Sequence, residues 1–206
     1  KEEEVLSGFL HKQGYVMVEK RLNRVLDFAM EFEMDRLFHL NFLGYSVFQT
    51  SRRGEYEGNR VASRARLEGM ISRYTGMGLL HEIREQLEKV LTSVFHGKYV
   101  GCLGVDMMIY EDESGGFGVQ PCVEINLRYN MGIVSIALQR FLQEEVEGVF
   151  TIRFSPKPGE IMQSVEENRD AYPLQVKTGR ITAGYINLTP VSRESRFVAE
   201  LYVGDK

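Results

Sequence analysis

What the 206-residue chain lacks narrows its function first. It has no apolar run approaching the roughly 20 residues that a membrane-spanning helix needs, so no membrane partner is expected. Its first residues, Lys-Glu-Glu-Glu, do not read as a secretory signal. It has only two cysteines, Cys102 and Cys122, without the CxxC spacing of a zinc site. Both lie in apolar, strand-like segments and read as reduced, buried thiols of a cytoplasmic protein. Positive charge is not in excess. Lys and Arg number 25 against 29 Asp and Glu, a formal net charge of −4, and nothing favours nucleic acid as a partner. No GxGxxG follows a strand pattern and no GxxxxGK[ST] occurs, which removes the dinucleotide-fold and P-loop readings. No Ser or Cys sits in a nucleophile motif such as GxSxG. His11, His39, His81 and His96 are dispersed, without metal-ligand spacing, and read as structural or surface residues.

What is present is ordinary globular composition, 43% hydrophobic and 26% charged. The length suits one large domain or two small lobes. The chain opens on Lys1 directly in a helical run, which reads as the start of an excised piece. Glu2 to Lys12 predicts a short helix with Val5, Leu6, Phe9 and Leu10 on one face, ended by Gly14. Tyr15–Lys20 (YVMVEK) predicts a strand. Leu26, Phe28, Met30 and Phe32 alternate with Asp27, Ala29, Glu31 and Glu33, which predicts a strand with one buried face. A third strand over Leu37–Phe48 is less regular near Gly44. Ser51–Gly58 (SRRGEYEG) reads as a loop. In it Arg52 and Arg53 either line a substrate mouth, or reach a phosphate, or are merely solvated.

Two helices are expected next, Arg64–Tyr74 and Leu79–Phe95, the second stopped by Gly97. Two strands follow, Tyr99–Tyr110 and Val119–Leu127, joined by a hairpin-like turn, EDESGGFG. A helix is expected over Gly132–Gln143. The tail from Gly148 reads as β-rich, with alternating segments at Phe150–Phe154, Gln175–Asn187 and Arg196–Val203. The order predicts an α+β fold with a mainly antiparallel sheet and packed helices. The expected division is a core over residues 1–147 and a β-rich extension over 148–206 packed on it.

The chemistry concentrates in GVDMMIY, a turn, then PCVEINLRYNMG. In the second strand Glu124, Asn126 and Arg128 stand two residues apart and project from one face, while Val123, Ile125 and Leu127 fill the other. In the first strand Asp106 is a carboxylate within an apolar run. Pairing as a hairpin brings Asp106 beside Glu124. Two neighbouring carboxylates repel, and burying both without a cation is costly. A hard divalent cation such as Mg²⁺, held by carboxylates and substrate phosphates, resolves the conflict. Asn126 adds a neutral oxygen and Arg128 faces the anion. The alternative is a solvent-facing strand with ordinary charges, and a lone E-x-N would not outweigh it.

The segment GVDMMIY…PCVEINLRYNMG resembles the last two strands of the ATP-grasp catalytic core. The resemblance implies that Asp106, Glu124 and Asn126 hold Mg²⁺ between ATP phosphates, and that Arg128 stabilises an acyl-phosphate step. YVMVEKRL resembles the family's adenine-binding hinge, which implies that Glu19, Lys20, Arg21 and Leu22 contact adenine. Asp27 is the best-placed acid for the ribose hydroxyls. The resemblance covers about Tyr15 to Met131, and the tail beyond Phe150 is unmatched. The family's paired phosphate-contacting lysines and glycine-rich loop, which precede the hinge, have no counterpart in the fourteen residues before Tyr15. The expectation is therefore a C-terminal, ATP-grasp-like lobe of a ligase. That ligase would join a small carboxylate substrate to an amine or other nucleophile, with ATP and Mg²⁺ as cofactors and the missing N-terminal part of the same protein as partner. A non-catalytic nucleotide-binding module and a protein-interaction domain remain open alternatives.

Overall fold

A computed structural model describes residues 2–51 and 54–204. Five helices and nine strands follow in chain order. They are α1 (Glu2–Gln13), β1 (Asn23–Met34), β2 (Leu40–Thr50), β3 (Tyr56–Val61), α2 (Arg64–Thr75), α3 (Met77–Phe95), β4 (Gly101–Glu111), β5 (Phe117–Asn126), α4 (Met131–Gln139), β6 (Gly148–Phe154), α5 (Glu160–Ala171), β7 (Gln175–Lys177), β8 (Arg180–Asn187) and β9 (Phe197–Val203). The strands form one nine-stranded sheet in the order β5-β4-β1-β2-β3-β6-β9-β8-β7. Every strand pair in it is antiparallel. The α+β class expected from the element order is the class observed.

β1 lies between β2 and β4, so both of its edges are paired. One face of the sheet carries Phe28, Met30, Phe32, Tyr45, Val47, Leu103, Val105, Met107 and Ile109 against Leu67 and Ile71 of α2 and Leu80 and Leu91 of α3. On the opposite face α4 packs Met131, Val134 and Leu138 against Val61, Phe150, Leu201 and Val203. The alternation in β1 is therefore not buried against exposed. Residues 28 to 32 are all buried, because helices cover both sides. Near Gly44 the β1–β2 register shifts by one residue, a bulge that interrupts the regular pattern there without ending the strand.

Several local expectations are corrected. Tyr15–Lys20 forms no strand, and Tyr15, Met17 and Val18 are 73%, 83% and 86% exposed. Both edges of the adjoining β1 are already taken, and a strand without a partner leaves its backbone groups unpaired. Part of the predicted loop is β3, paired with β2 and β6. Gly58 makes that pairing possible, since its φ is +158° and a side chain there would meet the Phe150 carbonyl and Thr151. The tail contains a helix, α5, where only strands were expected. Its Ile161 and Val165, one helical turn apart, are buried against Tyr185 and Val198. β6 pairs with β3, so the sheet runs without interruption from residues 1–147 into the tail. Both cysteines are free, but Cys122 is exposed. β5 is an edge strand, and its Val123 and Ile125, with Leu127 just after it, are 58%, 40% and 42% exposed, so they line no core.

Candidate functional site

Register assembles the site. Asp106 stands opposite Glu124 in the β4–β5 ladder, and Gly104 stands opposite Asn126. Across the other edge of β4, Asp106 pairs with Ala29 and Gly104 with Glu31. Ala29 pairs in turn with Ser46, and Asp27 with Phe48. Phe48 pairs with Asn59. Strict alternation then puts Asp27, Glu31, Ser46, Phe48, Asn59, Asp106, Glu124 and Asn126 on one face of four neighbouring strands and their edge. This is the face that α4 covers only in part. The uncovered area is a cleft of about 360 Å³, lined by Glu31, Ser46, Phe48, Asn59, Asp106, Glu124, Asn126 and Arg128 among others. That volume falls in the range of small-molecule sites.

Polar contacts run from Asp106 through Asn126 to Arg128. Asn126 Nδ2 donates to Asp106 Oδ2 at 3.1 Å, and an Arg128 guanidinium nitrogen donates to Asn126 Oδ1 at 3.0 Å. Burial, and then the Glu124 charge, push the Asp106 carboxyl up to about 6, while Asn126 and Arg128 oppose the shift. Asn126 thus turns its nitrogen, not its oxygen, toward Asp106. Among the described residues no group of three or more His, Cys, Asp or Glu side chains is arranged to enclose a metal ion. Two facing carboxylates that repel one another nevertheless fit the demand of Mg²⁺, which takes one or two protein carboxylates and completes its shell with water and phosphate oxygens.

Sequence reasoning assigned Glu31 only to a polar strand face. It is 1% exposed. Ser46 Oγ donates to its Oε1 at 2.9 Å and Asn130 Nδ2 to its Oε2 at 2.8 Å. Burial pushes this carboxyl up to about 7, with the two hydrogen bonds opposing and the Asp106 charge adding. Two glycines make room for it: a Cβ at Gly104 or at Gly132 would collide with the Glu31 carboxylate. Asn130 also caps α4, accepting from Ile133 N at 2.9 Å. One asparagine therefore fixes both the buried carboxylate and the helix start beside Arg128. Asn59 was missed as well, because it follows directly on Ser51–Gly58, which reads as a charged, glycine-containing loop. The available signal was the alternation of Asn59 with Val61 after Gly58.

Of the hinge candidates only Asp27 lies on a strand, β1, and Glu19 to Leu22 precede it. Lys20, Arg21 and Leu22 line a second depression with Asn23 and the β4–β5 turn, where Lys20 Nζ pairs with Glu113 at 2.8 Å. Glu19 is exposed on the segment that forms no strand. From Leu22 to Asp27 the chain advances roughly 16 Å at about 3.3 Å per residue. Asp27 accepts from Thr50 Oγ1 at 2.6 Å and from Arg24 at 3.1 Å, and its charge adds to the upward push on Asp106. Arg52 and Arg53 lie outside the described residues.

No protein-family model matches the sequence, and no curated protein matches it significantly. Solved structures match the fold. A biotin carboxylase from Campylobacter jejuni, solved as a β-γ-ATP complex, aligns at TM-score 0.51 and 9% identity, over 98% of this chain and 47% of its own. N5-carboxyaminoimidazole synthetase from Staphylococcus aureus, complexed with ADP, aligns at TM-score 0.46 and 14% identity, over 91% and 48%. The biotin carboxylase domain of Hydrogenobacter thermophilus 2-oxoglutarate carboxylase, solved with MgADP, ADP and bicarbonate, aligns at TM-score 0.46 and 11% identity, over 98% and 46%. The chain spans about half the length of these structures. At such identities the likeness is one of fold, and the fold is ATP-grasp-like.

Proposed function

We propose that this chain is the nucleotide- and magnesium-holding part of an ATP-dependent ligase, one that joins a carboxylate to an amine or another nucleophile through an acyl phosphate. The observation that carries the proposal is the direct cross-strand pairing of Asp106 with Glu124, with Asn126 and Arg128 on the same face. In this reading residues 1–147 carry the nucleotide-binding core and residues 148–206 extend its sheet. A further part of the same protein closes the cleft.

Asp106 and Glu124 would hold Mg²⁺, and Asn126 would turn its amide oxygen inward to join them. Bound there, Mg²⁺ supplies positive charge to the phosphate oxygens. The substrate carboxylate attacks the γ-phosphorus of ATP, the bond to ADP breaks, and an acyl phosphate forms. The amine then displaces inorganic phosphate and loses a proton to give the amide. Arg128, hydrogen-bonded to Asn126, would stabilise the transferring phosphoryl group, since its planar donors suit phosphate oxygens. Lys20, Arg21 and Leu22, with Glu19, would hold the adenine at the far end of β1, and Asp27 the ribose. The chain contributes position and charge rather than a nucleophile, as phosphoryl transfer demands.

The test is Glu124→Gln in the full-length protein. ADP release should be abolished while circular dichroism and thermal unfolding stay unchanged. Wild-type ADP release in that variant overturns the assignment.

A further inference from the structure

The cleft has a second polar end that the metal chemistry does not use. Asn59 is 1% exposed and lines the cleft. Its Oδ1 accepts from the Tyr56 hydroxyl at 2.6 Å. Its Nδ2, also buried, has no hydrogen-bond partner among the described residues. A buried, unpaired amide nitrogen costs on the order of 1–3 kcal/mol, and most such groups in folded proteins are paired. Tyr56 holds the amide so that the vacant N–H groups turn away from the hydroxyl.

Register fixes how far this end lies from the carboxylate pair. Asn59 is on β3 and Asp106 on β4, three strand spacings apart in the order β4-β1-β2-β3, which is roughly 14 Å between backbones at about 4.8 Å per spacing. A carboxylate reacting beside Asp106 and Glu124 is therefore not the group that meets Asn59. The nearest acid to Asn59 along its row, Asp27, is already paired with Arg24 and Thr50. Phe48 and Met131 supply apolar wall to the same cleft.

We propose that Asn59, oriented by Tyr56, is a recognition subsite for a second oxygen acceptor, a carbonyl or a carboxylate, on the acid substrate. The substrate class is then an elongated acid with an acceptor oxygen remote from its reacting carboxylate. A site built around such a donor discriminates strongly against analogues that lack the acceptor, because they leave the donor unpaired. The substrate assignment rests on the ligase reading, whereas the acceptor subsite itself does not.

The experiment follows the side-chain amide signals of the full-length protein labelled with ¹⁵N-asparagine. The probes are acetate, N-methylacetamide, methylammonium and MgADP, each added separately. Acetate and N-methylacetamide should shift the Asn59 pair saturably, and methylammonium should not. Asn59→Leu and Asn59→Asp, followed by saturation transfer to the probes' own methyl signals because the Asn59 amide is gone, should each weaken the two oxygen probes at least tenfold. MgADP should move the Asn126 pair, an internal reference in the same spectra. An Asn59 pair unmoved by either oxygen probe, or moved by methylammonium instead, overturns the subsite, and the wild-type spectra decide this even where a variant fails to fold. If MgADP moves Asn126 while the oxygen probes leave Asn59 still, the inference fails and the ligase reading stands. If the oxygen probes move Asn59 and MgADP moves nothing, the subsite stands and the nucleotide reading fails.

Discussion

Glu200 and Glu31 are both buried in the same sheet, 3% and 1% exposed, and their surroundings treat them in opposite ways. Glu200, on β9, receives Arg153 Nε on one oxygen at 3.0 Å and a second Arg153 nitrogen on the other at 3.2 Å. The Tyr185 hydroxyl adds a third donor at 2.8 Å. Charge meets charge in a planar fork, and the group is a structural tie between β6, β8 and β9. Among the described residues Glu31, on β1, receives only a serine hydroxyl and a neutral amide, and faces the like charge of Asp106. The C-terminal half of the sheet has satisfied its buried carboxylate. In the N-terminal half Glu31 is buried without a cation among the described residues, and the half-buried Asp106 faces the exposed Glu124. Uncompensated charge of this kind is costly for stability, and it concentrates where ligands or catalysis supply the missing partner.

The contrast can be broken from either side. The largest effect is expected at the uncompensated end. Asp106→Asn in the full-length protein should lower the rate of ADP release by about 10² to 10³, the scale for losing one charge-stabilising group. Its unfolding free energy should not fall, because a half-buried acid under strain has been removed. A large loss of stability together with activity would make Asp106 a structural residue like Glu200. At the compensated end Arg153→Met should do the reverse. It leaves Glu200 buried without its cation and should cost on the order of 3 kcal/mol in urea denaturation. MgADP binding should be unaffected.

Glu31 should reveal itself through pH. Its folded value of about 7 lies above the ordinary 4.5 because burial disfavours the charge. Between those values the native state holds a proton that the unfolded chain has lost. Wild-type stability therefore falls as pH rises from about 4.5 through about 7, by on the order of 3 kcal/mol from this group. Asp106, held at about 6, adds a fall of the same sign over a lower window. Glu31→Gln should flatten the part of the slope nearest pH 7 and be the more stable protein at pH 8. An unchanged slope would show that Glu31 does not titrate there. The smallest effect is expected at Gly132. Its Cβ position is occupied by the Glu31 carboxylate and Ser46 Oγ, so Gly132→Ala should cost about 1 kcal/mol after the helical gain of alanine. That cost should shrink in a Glu31→Ala background, and a double-mutant cycle by chemical denaturation measures the coupling.

Much of the site was legible because period-two alternation is rigid. Once GVDMMIY and PCVEINLR are strands joined by a short turn, Asp106 and Glu124 have few ways to avoid one another. The same rule worked for β4 and β5, and helical spacing worked for α2 and α3. It misled where alternation was taken as a measure of exposure. Glu31 alternates with Met30 and Phe32 as Asp27 does with Phe28, yet only the packing of α4 and the cap at Asn130 decide that Glu31 is buried. Val123, Ile125 and Leu127 alternate well and remain exposed, although Tyr74 of α2 packs on Phe117 at the other end of β5. Tyr15–Lys20 has the composition of a strand and no edge to join. The helix α5 was hidden by Pro156, Pro158 and the alternating segments around it, although Ile161 and Val165 carry helical spacing.

Local periodicity depends on backbone geometry alone, so the sequence by itself determined the order of the main elements, the absence of a nucleophile motif and the convergence of Asp106, Glu124, Asn126 and Arg128. Burial and partnership depend on what lies across from a residue, often a hundred positions away. The tertiary structure alone decided that Glu31 is enclosed by residues of β2 and the α4 cap, that Asn59 is left with a vacant donor in the cleft, and that the tail continues the same sheet. A single strand carries no record of which surface will cover it.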